Sequence, residues 1–250
     1  MMASSIENNP DAVVRTAQEQ ISMERLMGLA VFGEKVAAHT YALMGELKPE
    51  FATLMRKFAS MEGRHGTLFA DVSQKNGFAP DRSFADGELG YLIAQVDDHN
   101  AAKDFDALAV LQGFVVECLA ISTYEPSVEP ARKYPGMAEI FEQALAEERY
   151  HVDWVTRYLR LRFFDREDEF LQLVERVNVQ GVDCVGGTLM NITEYLTSAG
   201  MSGADCAGAM THEYTQLLER VGICEKRATK NVIRMFVPLM RKYRRREKSK

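Results

Sequence analysis

The sequence predicts an all-α fold, a four-helix bundle that carries a dimetal carboxylate site and is followed by additional C-terminal helices. Apolar residues recur at helical spacing along most of the chain, and no alternating β-pattern of useful length interrupts them. Most of the seven prolines stand between long periodic segments. Twice, a lone glutamate on such a segment is followed by a Glu-x-x-His, which is the ligand pattern of helix bundles that bind two metal ions.

The prolines and the apolar periodicity divide the first two thirds of the chain into four long helices. Pro10 and Pro49 bound the first helix, and Pro49 and Pro80 bound the second. Three further prolines separate the third helix from the fourth. The predicted helices cover about residues 11–46, 49–75, 86–125 (with a break near residues 97–106) and 136–163, and the predicted loops are residues 76–84 and 125–135.

Three further helices are predicted after Asp165, at about residues 167–197, 203–221 and 224–245. Gly186 and Gly187 stand inside the first of them, and each disfavours a helix interior by roughly 1 kcal/mol. Either the helix breaks there, or its backbone lies close to another group. The predicted organisation is a disordered N-terminal segment at residues 1–10, a single helical domain at residues 11–243 and a basic tail at residues 244–250.

Composition and charge exclude several classes of protein. Hydrophobic residues make up 46% and charged residues 26% of the 250 residues, as in a globular protein with a substantial core. The absence of a run of about twenty apolar residues and of an apolar leader predicts no integral membrane association. Four cysteines without a Cys-x-x-Cys pair predict a cytoplasmic protein.

The basic end of the chain, RKYRRREKSK, contrasts with the net charge of −6. It is either a solvated helix end, whose cations suit the helix C-terminus, or a contact for an acidic carrier protein, a reductase or lipid head groups. No base-reading motif or aromatic interleaving favours nucleic acid as a partner.

Four glutamates and two histidines are candidate metal ligands. Residues three apart share a helix face, so each Glu-x-x-His directs both side chains at one centre, and carboxylate with imidazole suits iron or manganese. The alternative is that these side chains are solvated. Glu117 argues against it, because its apolar segment would bury a carboxylate, at a cost of several kcal/mol unless it is paired or binds metal. The six candidates are Glu34, Glu62, His65, Glu117, Glu148 and His151.

Motifs around these ligands, and others beyond them, match one family. They are Met61-Glu62-x-Arg64-His65, Glu117-Cys118 followed by Tyr124, Glu147 before Glu148 and His151, Glu34 with Tyr41 seven residues later, and the LMN, Gly-Met and EYTQLLERVGI segments. With these motifs the chain, from about residue 20 to residue 240, resembles the ferritin-like di-iron carboxylate proteins. Among them it is similar to the cyanobacterial aldehyde-deformylating oxygenases, long called aldehyde decarbonylases. It departs from them at Gly187, where a tryptophan is expected, and at Asp153, where asparagine is usual.

The resemblance implies a ferritin-like bundle in which the six ligands hold two iron ions, with an iron–manganese pair as the alternative. It implies an oxygenase that uses O2 as co-substrate to convert an aliphatic (fatty) aldehyde to an alkane and formate. The electrons would come from an external donor, a ferredoxin-like reductant.

Several further side chains are candidates for contacts with the ligands. Tyr41 and Tyr124 each lie two helical turns after a ligand, so they are predicted as catalytic positions that hydrogen-bond to ligands, with ordinary core tyrosines as the alternative. Glu147 and Asp153 are candidate acceptors for the imidazole N–H groups, with a position on the helix surface as the alternative. Arg64 is a candidate partner for a nearby carboxylate.

Two other functions are compatible with the same residues. A di-iron site beside a different pocket would support N-oxygenation or hydroxylation of a small specialised metabolite, and the expected tryptophan missing at Gly187 indicates such a difference. Iron storage in a ferritin-type shell is the non-enzymatic alternative, against which the additional C-terminal helices argue. A fatty aldehyde requires a long apolar tunnel, for which the predicted lining is Phe69, Phe114, Ile121 and Met190. The alternative is that these four residues form an ordinary bundle core.

Overall fold

The described part of the chain is helical, which confirms the predicted all-α fold. The computed structural model describes residues 15–247, apart from the side chains of residues 179–186, 189–190 and 238–247, and no strand occurs in this range. The helices are α1 (Ala17–Leu47), α2 (Ala52–Lys75), α3 (Arg82–Ala101), α4 (Phe105–Leu111), α5 (Glu117–Ala131), α6 (Met137–Arg162), α7 (Glu167–Ser198), α8 (Gly203–Val221) and α9 (Glu225–Glu247). A 3-10 turn, Pro49–Phe51, precedes α2, and a π-helical turn, Gln112–Val116, joins α4 to α5.

Capping side chains set the helix starts that differ from prediction. Thr16 accepts a hydrogen bond from the Glu19 N–H at 3.1 Å, so the first helix begins at Ala17 and not near residue 11. Asp81 accepts from the Phe84 N–H at 2.9 Å and starts α3 a few residues earlier than predicted. The segment predicted to be disordered, residues 1–10, and the side chains of the basic tail lie outside the described residues.

The proline-rich segment at residues 125–135 is not a loop over its whole length, and this prediction is wrong. Helix α5 continues through Pro126 and Pro130 to Ala131. Ser127 is buried, and its Oγ donates to the main-chain carbonyl four residues earlier at 2.5 Å. Ala131 is also buried. The stabilisation from packing of this face therefore outweighs the loss of two helix hydrogen bonds, because Pro126 and Pro130 have no main-chain N–H.

Helix α7 runs without a break through Gly186 and Gly187, so the alternative of a broken helix is wrong. A Cβ atom built on Gly187 would meet no neighbouring heavy atom within 4 Å among the described residues, so close backbone approach does not explain this glycine either. The next residue, Thr188, is buried and donates to the main-chain carbonyl of Glu88 at 3.0 Å. Helix α7 is therefore tied to α3 beside an open space at Gly187.

Four helices form the bundle that positions the candidate ligands. Helices α1 and α2 pack as one hairpin, and α5 and α6 pack as a second. Helices α3 and α7 pack against α1, α8 packs against α5, and α9 packs against α7 and α8. The additional C-terminal helices thus cover the bundle, as the sequence predicts.

The stretch Phe105–Ala131 includes the apolar segment predicted around Glu117, and it is long and apolar enough to cross a membrane by length and composition. It comprises α4, the π-helical turn and α5, with a mean hydropathy of 1.7 in its most apolar window. Within the fold, 83% of that window is buried against other helices. A helix that is apolar on all sides is expected at the centre of a large domain, and this position explains its composition.

Candidate metal centre

The six candidate ligands converge at the centre of the bundle. Helix α1 supplies one glutamate, α5 supplies another, and α2 and α6 each supply a Glu-x-x-His, all of them at most 2% exposed. They form two overlapping groups whose ligand atoms lie within 4.8 Å of one another, Glu34, Glu62, His65 and Glu148, and Glu62, Glu117, Glu148 and His151. Glu62 and Glu148 belong to both groups, and each group contains one histidine.

Both imidazoles present Nδ1 to the carboxylates. His65 Nδ1 lies 3.3 Å from Glu34 Oε2 and 3.3 Å from Glu62 Oε2, and His151 Nδ1 lies 2.8 Å from Glu62 Oε1. The Nε2 atoms of the two histidines differ in their hydrogen-bond partners. His65 Nε2 lies 3.1 Å from Glu147 Oε2, whereas His151 Nε2 is buried without a hydrogen-bond partner among the described residues.

The donor set fits two divalent cations. Glu62 Oε1 is buried and lies 2.8 Å from His151 Nδ1, but outside hydrogen-bonding geometry, as expected of two ligands of one ion. The carboxylates of the two groups balance the charge of two divalent ions, and oxygen with imidazole nitrogen suits iron or manganese. The assignment of the six residues as ligands stays a prediction.

The predicted outer contacts are present at Glu147 and Arg64 but not at Asp153. Glu147 contacts His65 Nε2 and also pairs with Arg64. The prediction that Asp153 accepts from an imidazole is wrong, because Asp153 pairs with Arg157 at 2.8 Å on the outer face of α6. A residue two positions after a ligand does not share its helix face.

Tyr41 and Tyr124 donate hydrogen bonds to ligands across the bundle. Tyr41, on α1, donates to Glu117 Oε1 on α5 at 2.6 Å, and Tyr124, on α5, donates to Glu34 Oε1 on α1 at 2.5 Å. Burial raises the pKa of both phenols well above its usual value, so both stay protonated. Each tyrosine thereby orients a carboxylate from the opposite helix.

Gln112 is a contact that sequence reasoning missed. It lies in the π-helical turn, is fully buried, and its Nε2 donates to Glu117 Oε1 at 2.8 Å. The available signal was a single amide in an otherwise apolar segment, five residues before a ligand. An α-helix does not bring residues five apart to one face, but a π-helical turn changes the register.

Burial makes full ionisation of the metal-free carboxylates costly. It raises the pKa of Glu34 to about 8 and, with the neighbouring carboxylates, raises the pKa of Glu148 well above its usual value. Glu117 behaves differently, because hydrogen bonding with Glu148 and His151 outweighs burial and lowers its pKa to about 2. Hydrogen bonding with the carboxylates likewise outweighs burial at His151 and raises its pKa to about 12. Bound protons therefore hold the metal-free centre near neutrality, and metal ions would displace them.

A long apolar cavity leads away from the centre between α1 and α5. Glu34, Glu117 and Glu148 line its inner end. Along α1 the lining extends from Ala37 to Met23, a stretch of helix that rises about 21 Å. The cavity therefore has the length and the apolar walls that an extended alkyl chain requires.

The predicted lining of this cavity is wrong at three positions. Phe69 packs against Tyr124 and Phe141, and Phe114 packs against Phe170 and Tyr214. Ile121 is buried in the main core on another face of α5, and the side chain of Met190 lies outside the described residues. The observed wall between the helices includes small residues, among them Ala30 and Ala120, because the cavity occupies space next to the backbone.

The chain is similar to a known protein family and to solved structures. A family model described as long-chain fatty aldehyde decarbonylase matches residues 17–238. A solved structure from Synechococcus, described as protein 19 with aldehyde deformylating oxidase activity, superposes with a TM-score of 0.81 at 21% sequence identity. The match covers 88% of this chain and 98% of that chain, so the two share the whole fold.

Proposed function

Because the chain belongs to the long-chain fatty aldehyde decarbonylase family, we propose that it is an O2-dependent di-iron oxygenase that converts a fatty aldehyde to an alkane and formate. The observation that carries this proposal is the apolar cavity that ends at three carboxylates of the candidate metal centre. An alkyl chain in this cavity would place its terminal functional group at the ligands. Family membership supports the conversion of aldehyde to alkane, and the geometry supports a metal centre at the place where that conversion would occur.

Six residues would hold the two ions. Glu34 and His65 would bind one ion, Glu117 and His151 the other, and Glu62 and Glu148 would lie between them. Two iron ions would supply the one-electron redox chemistry that a reaction with O2 requires, and an iron–manganese pair suits the same ligands. Tyr41 and Gln112 would fix the orientation of one terminal carboxylate, and Tyr124 would fix the other.

The remaining task of the protein is to orient the aldehyde and exclude water. The apolar walls along α1 and α5 would hold the alkyl chain. Tyr124 lines the inner end of the cavity, where its hydroxyl is held by Glu34. The carbonyl would therefore meet a fixed polar group beside a centre whose candidate ligands are at most 2% exposed.

The conversion of an aldehyde and O2 to an alkane and formate balances only when electrons and protons are added. We propose that a ferredoxin-like protein supplies the electrons, in the cytoplasm. The strongly basic end of the chain suits contact with the reductase of such a carrier.

N-oxygenation or hydroxylation of a small metabolite is the second candidate function. Gly187 carries no side chain where the family resemblance suggests a tryptophan, and it directly precedes Thr188 of the cavity lining, which favours a pocket of different shape. Iron storage is less well supported, because an apolar cavity that reaches the centre offers no polar path for ions.

The test is anaerobic reconstitution with Fe(II), followed by a metal count and by addition of O2, reductant and a series of n-aldehydes. We expect near two irons per chain and matched amounts of formate and headspace alkane. Two irons with O2 uptake but neither product would transfer the proposal to the second candidate function. A protein that binds no stoichiometric metal would contradict both.

Filling the far end of the cavity should change the preferred chain length. Ala131 lies about 21 Å along α5 from Glu117, so Ala131→Phe would shorten the space available to a long alkyl chain. We expect kcat/KM for hexadecanal to fall about tenfold or more, with octanal affected much less. The control is Ala101→Phe at the exposed end of α3, away from the cavity lining. An equal loss for both aldehydes would contradict a substrate chain that extends to Ala131.

A further inference from the structure

A continuous series of aromatic rings connects the candidate ligand His151 to the surface of the protein. The ring centroid of Phe58 lies 4.5 Å from that of His151 and 6.0 Å from that of Trp154. Trp154 in turn stacks on Tyr158, with centroids 5.7 Å apart and an interplanar angle of 9°. Trp154 and Tyr158 are both partly exposed, so the series reaches solvent.

The outer part of this series is held rigidly although it is partly exposed. Tyr158 donates to Asp106 Oδ1 at 2.5 Å and accepts from Lys48 Nζ at 2.7 Å. The ring of Phe51 packs edge-on against Trp154 at 5.4 Å and against Tyr158 at 5.8 Å. Simple core packing does not require hydrogen bonds of this kind at the edge of the protein.

An exposed apolar and basic surface continues from these rings along α6. Trp154, Tyr158 and Leu161 recur at the spacing of one helix face. Leu161 is 79% exposed, and Phe164, in the turn after the helix, is 70% exposed. The exposed arginines Arg157 and Arg160 flank them, and Arg160 has no ion pair among the residues that the structure describes. We call this surface the α6 patch; it consists of Trp154, Arg157, Tyr158, Arg160, Leu161 and Phe164.

We propose that the α6 patch is the docking surface for an acidic one-electron donor protein, and that Trp154 is the residue through which the electron enters. This inference rests on the proposed function, which requires an external donor. In the step, the donor centre would lose one electron and a ferric ion held by the candidate ligands would gain it. The oxidation of the donor balances the reduction of the acceptor, and no covalent bond forms or breaks.

Distance and charge both favour this surface. Electron tunnelling decays steeply with distance, and Trp154 lies three residues after His151, which is about 4.5 Å along the helix. Arg160, which has no ion pair among the described residues, provides charge complementarity to an acidic partner, and Arg157 adds a second guanidinium that it shares with Asp153. Such complementarity increases the association rate. Leu161 and Phe164 provide an apolar contact area, and aromatic residues with arginine are typical of interface centres. The outer side of His65 lacks these features, because it is occupied by the ion pair of Glu147 and Arg64.

The charge requirement is tested with the double variant Arg157→Gln/Arg160→Gln. The control is Arg82→Glu at the exposed start of α3, which changes the net charge by the same amount. The preceding residue, Asp81, bonds to Glu24 on α1, and Glu24 lies about 36 Å along the helix from Lys48, the contact of Tyr158. The probe is a reduced plant-type [2Fe–2S] ferredoxin, mixed with the oxidised iron-loaded protein in a stopped-flow spectrometer. We expect the double variant to lower the second-order rate constant about tenfold at low salt and the control to leave it unchanged.

Binding is measured separately on the metal-free protein. Calorimetry with the same ferredoxin should show weaker binding for the double variant and unchanged binding for Arg82→Glu. Because Trp154 is the single tryptophan of the chain, its fluorescence reports on docking at this surface. Equal binding of the double variant and the control would overturn the proposal. Ferredoxin binding independent of the patch, together with patch-dependent binding to phosphatidylglycerol vesicles, would assign the patch to a membrane surface and also overturn it.

The role of Trp154 requires a measurement at saturating ferredoxin. We expect Trp154→Leu to slow electron transfer within the complex without weakening binding, and Trp154→Phe to restore most of the rate. An unchanged rate in Trp154→Leu would contradict electron transfer through this residue.

Dithionite bypasses docking, so all variants should be reduced by it at the wild-type rate. Dithionite-driven reactions that yield no alkane, with ferredoxin reduction intact, would refute the proposed function and leave the docking surface standing.

Discussion

Replacing Glu148 by glutamine is expected to abolish turnover and yet to stabilise the metal-free protein. Glu148 belongs to both ligand groups, so its loss weakens the binding of both ions. A metal centre stabilises the transition state by several kcal/mol, so activity should fall about a thousandfold or more. In the metal-free protein, burial and the neighbouring carboxylates raise the pKa of Glu148 well above its usual value. Folding at neutral pH must then protonate this group, and glutamine avoids that cost.

Both halves of this prediction can be measured on one preparation. The metal content after reconstitution should drop clearly below that of the wild type, and urea unfolding of the metal-free variant should show a higher midpoint at neutral pH. The matched control is Glu142→Gln on the same helix, where the side chain is 50% exposed and should affect neither quantity. A variant that keeps its metal content and activity would show that Glu148 does not bridge the two groups. A lower unfolding midpoint would show that the buried carboxyl group of Glu148 does not destabilise the metal-free protein.

Local sequence was sufficient to predict the helices and the convergence of the ligands. Helical spacing fixes which side chains share a face, so Glu62 with His65 and Glu148 with His151 were placed correctly before any tertiary contact was known. The predicted boundaries of α6, α7, α8 and α9 agree with the observed ones to within about two residues. The exceptions have local causes, as at Pro126 and Pro130, where burial of one face outweighs the intrinsic preference of proline.

The features that depend on packing between helices were not predictable in the same way. The cavity wall was misassigned because a large apolar residue fills a core, while a cavity lies beside small residues such as Ala30. The tyrosines were predicted as partners of candidate ligands. In the structure each bonds a glutamate of the opposite helix, Tyr41 to Glu117 and Tyr124 to Glu34. This pairing depends on how α1 and α5 lie relative to each other, which the sequence does not specify. Gln112 was missed because a π-helical turn changes the spacing on which the prediction relied.

The stability of the protein should depend on pH in opposite directions with and without metal. In the metal-free protein the pKa of Glu34 is raised by burial from 4.5 to about 8, so the folded state binds a proton more tightly than the unfolded state. The stabilisation that this proton gives the folded state is fully present below about pH 4.5 and is lost as the pH rises through 8. The raised pKa of His151, about 12, acts in the same direction above 6.5, the usual value for histidine. The pKa of Glu117 is lowered to about 2, so this residue makes stability rise with pH, but only below about pH 4.5.

We therefore expect the free energy of unfolding of the metal-free protein to fall by a few kcal/mol between about pH 5 and pH 8. Metal binding releases the same protons, so the metal-loaded protein should gain affinity and stability over this range. Urea titrations with and without Fe(II) under anaerobic conditions measure both trends. Glu34→Gln supplies the control, since it should flatten the dependence in the metal-free protein. If the metal-free protein instead became more stable towards pH 8, the buried carboxylates would be held ionised by the two imidazoles, and displaced protons would not explain metal affinity.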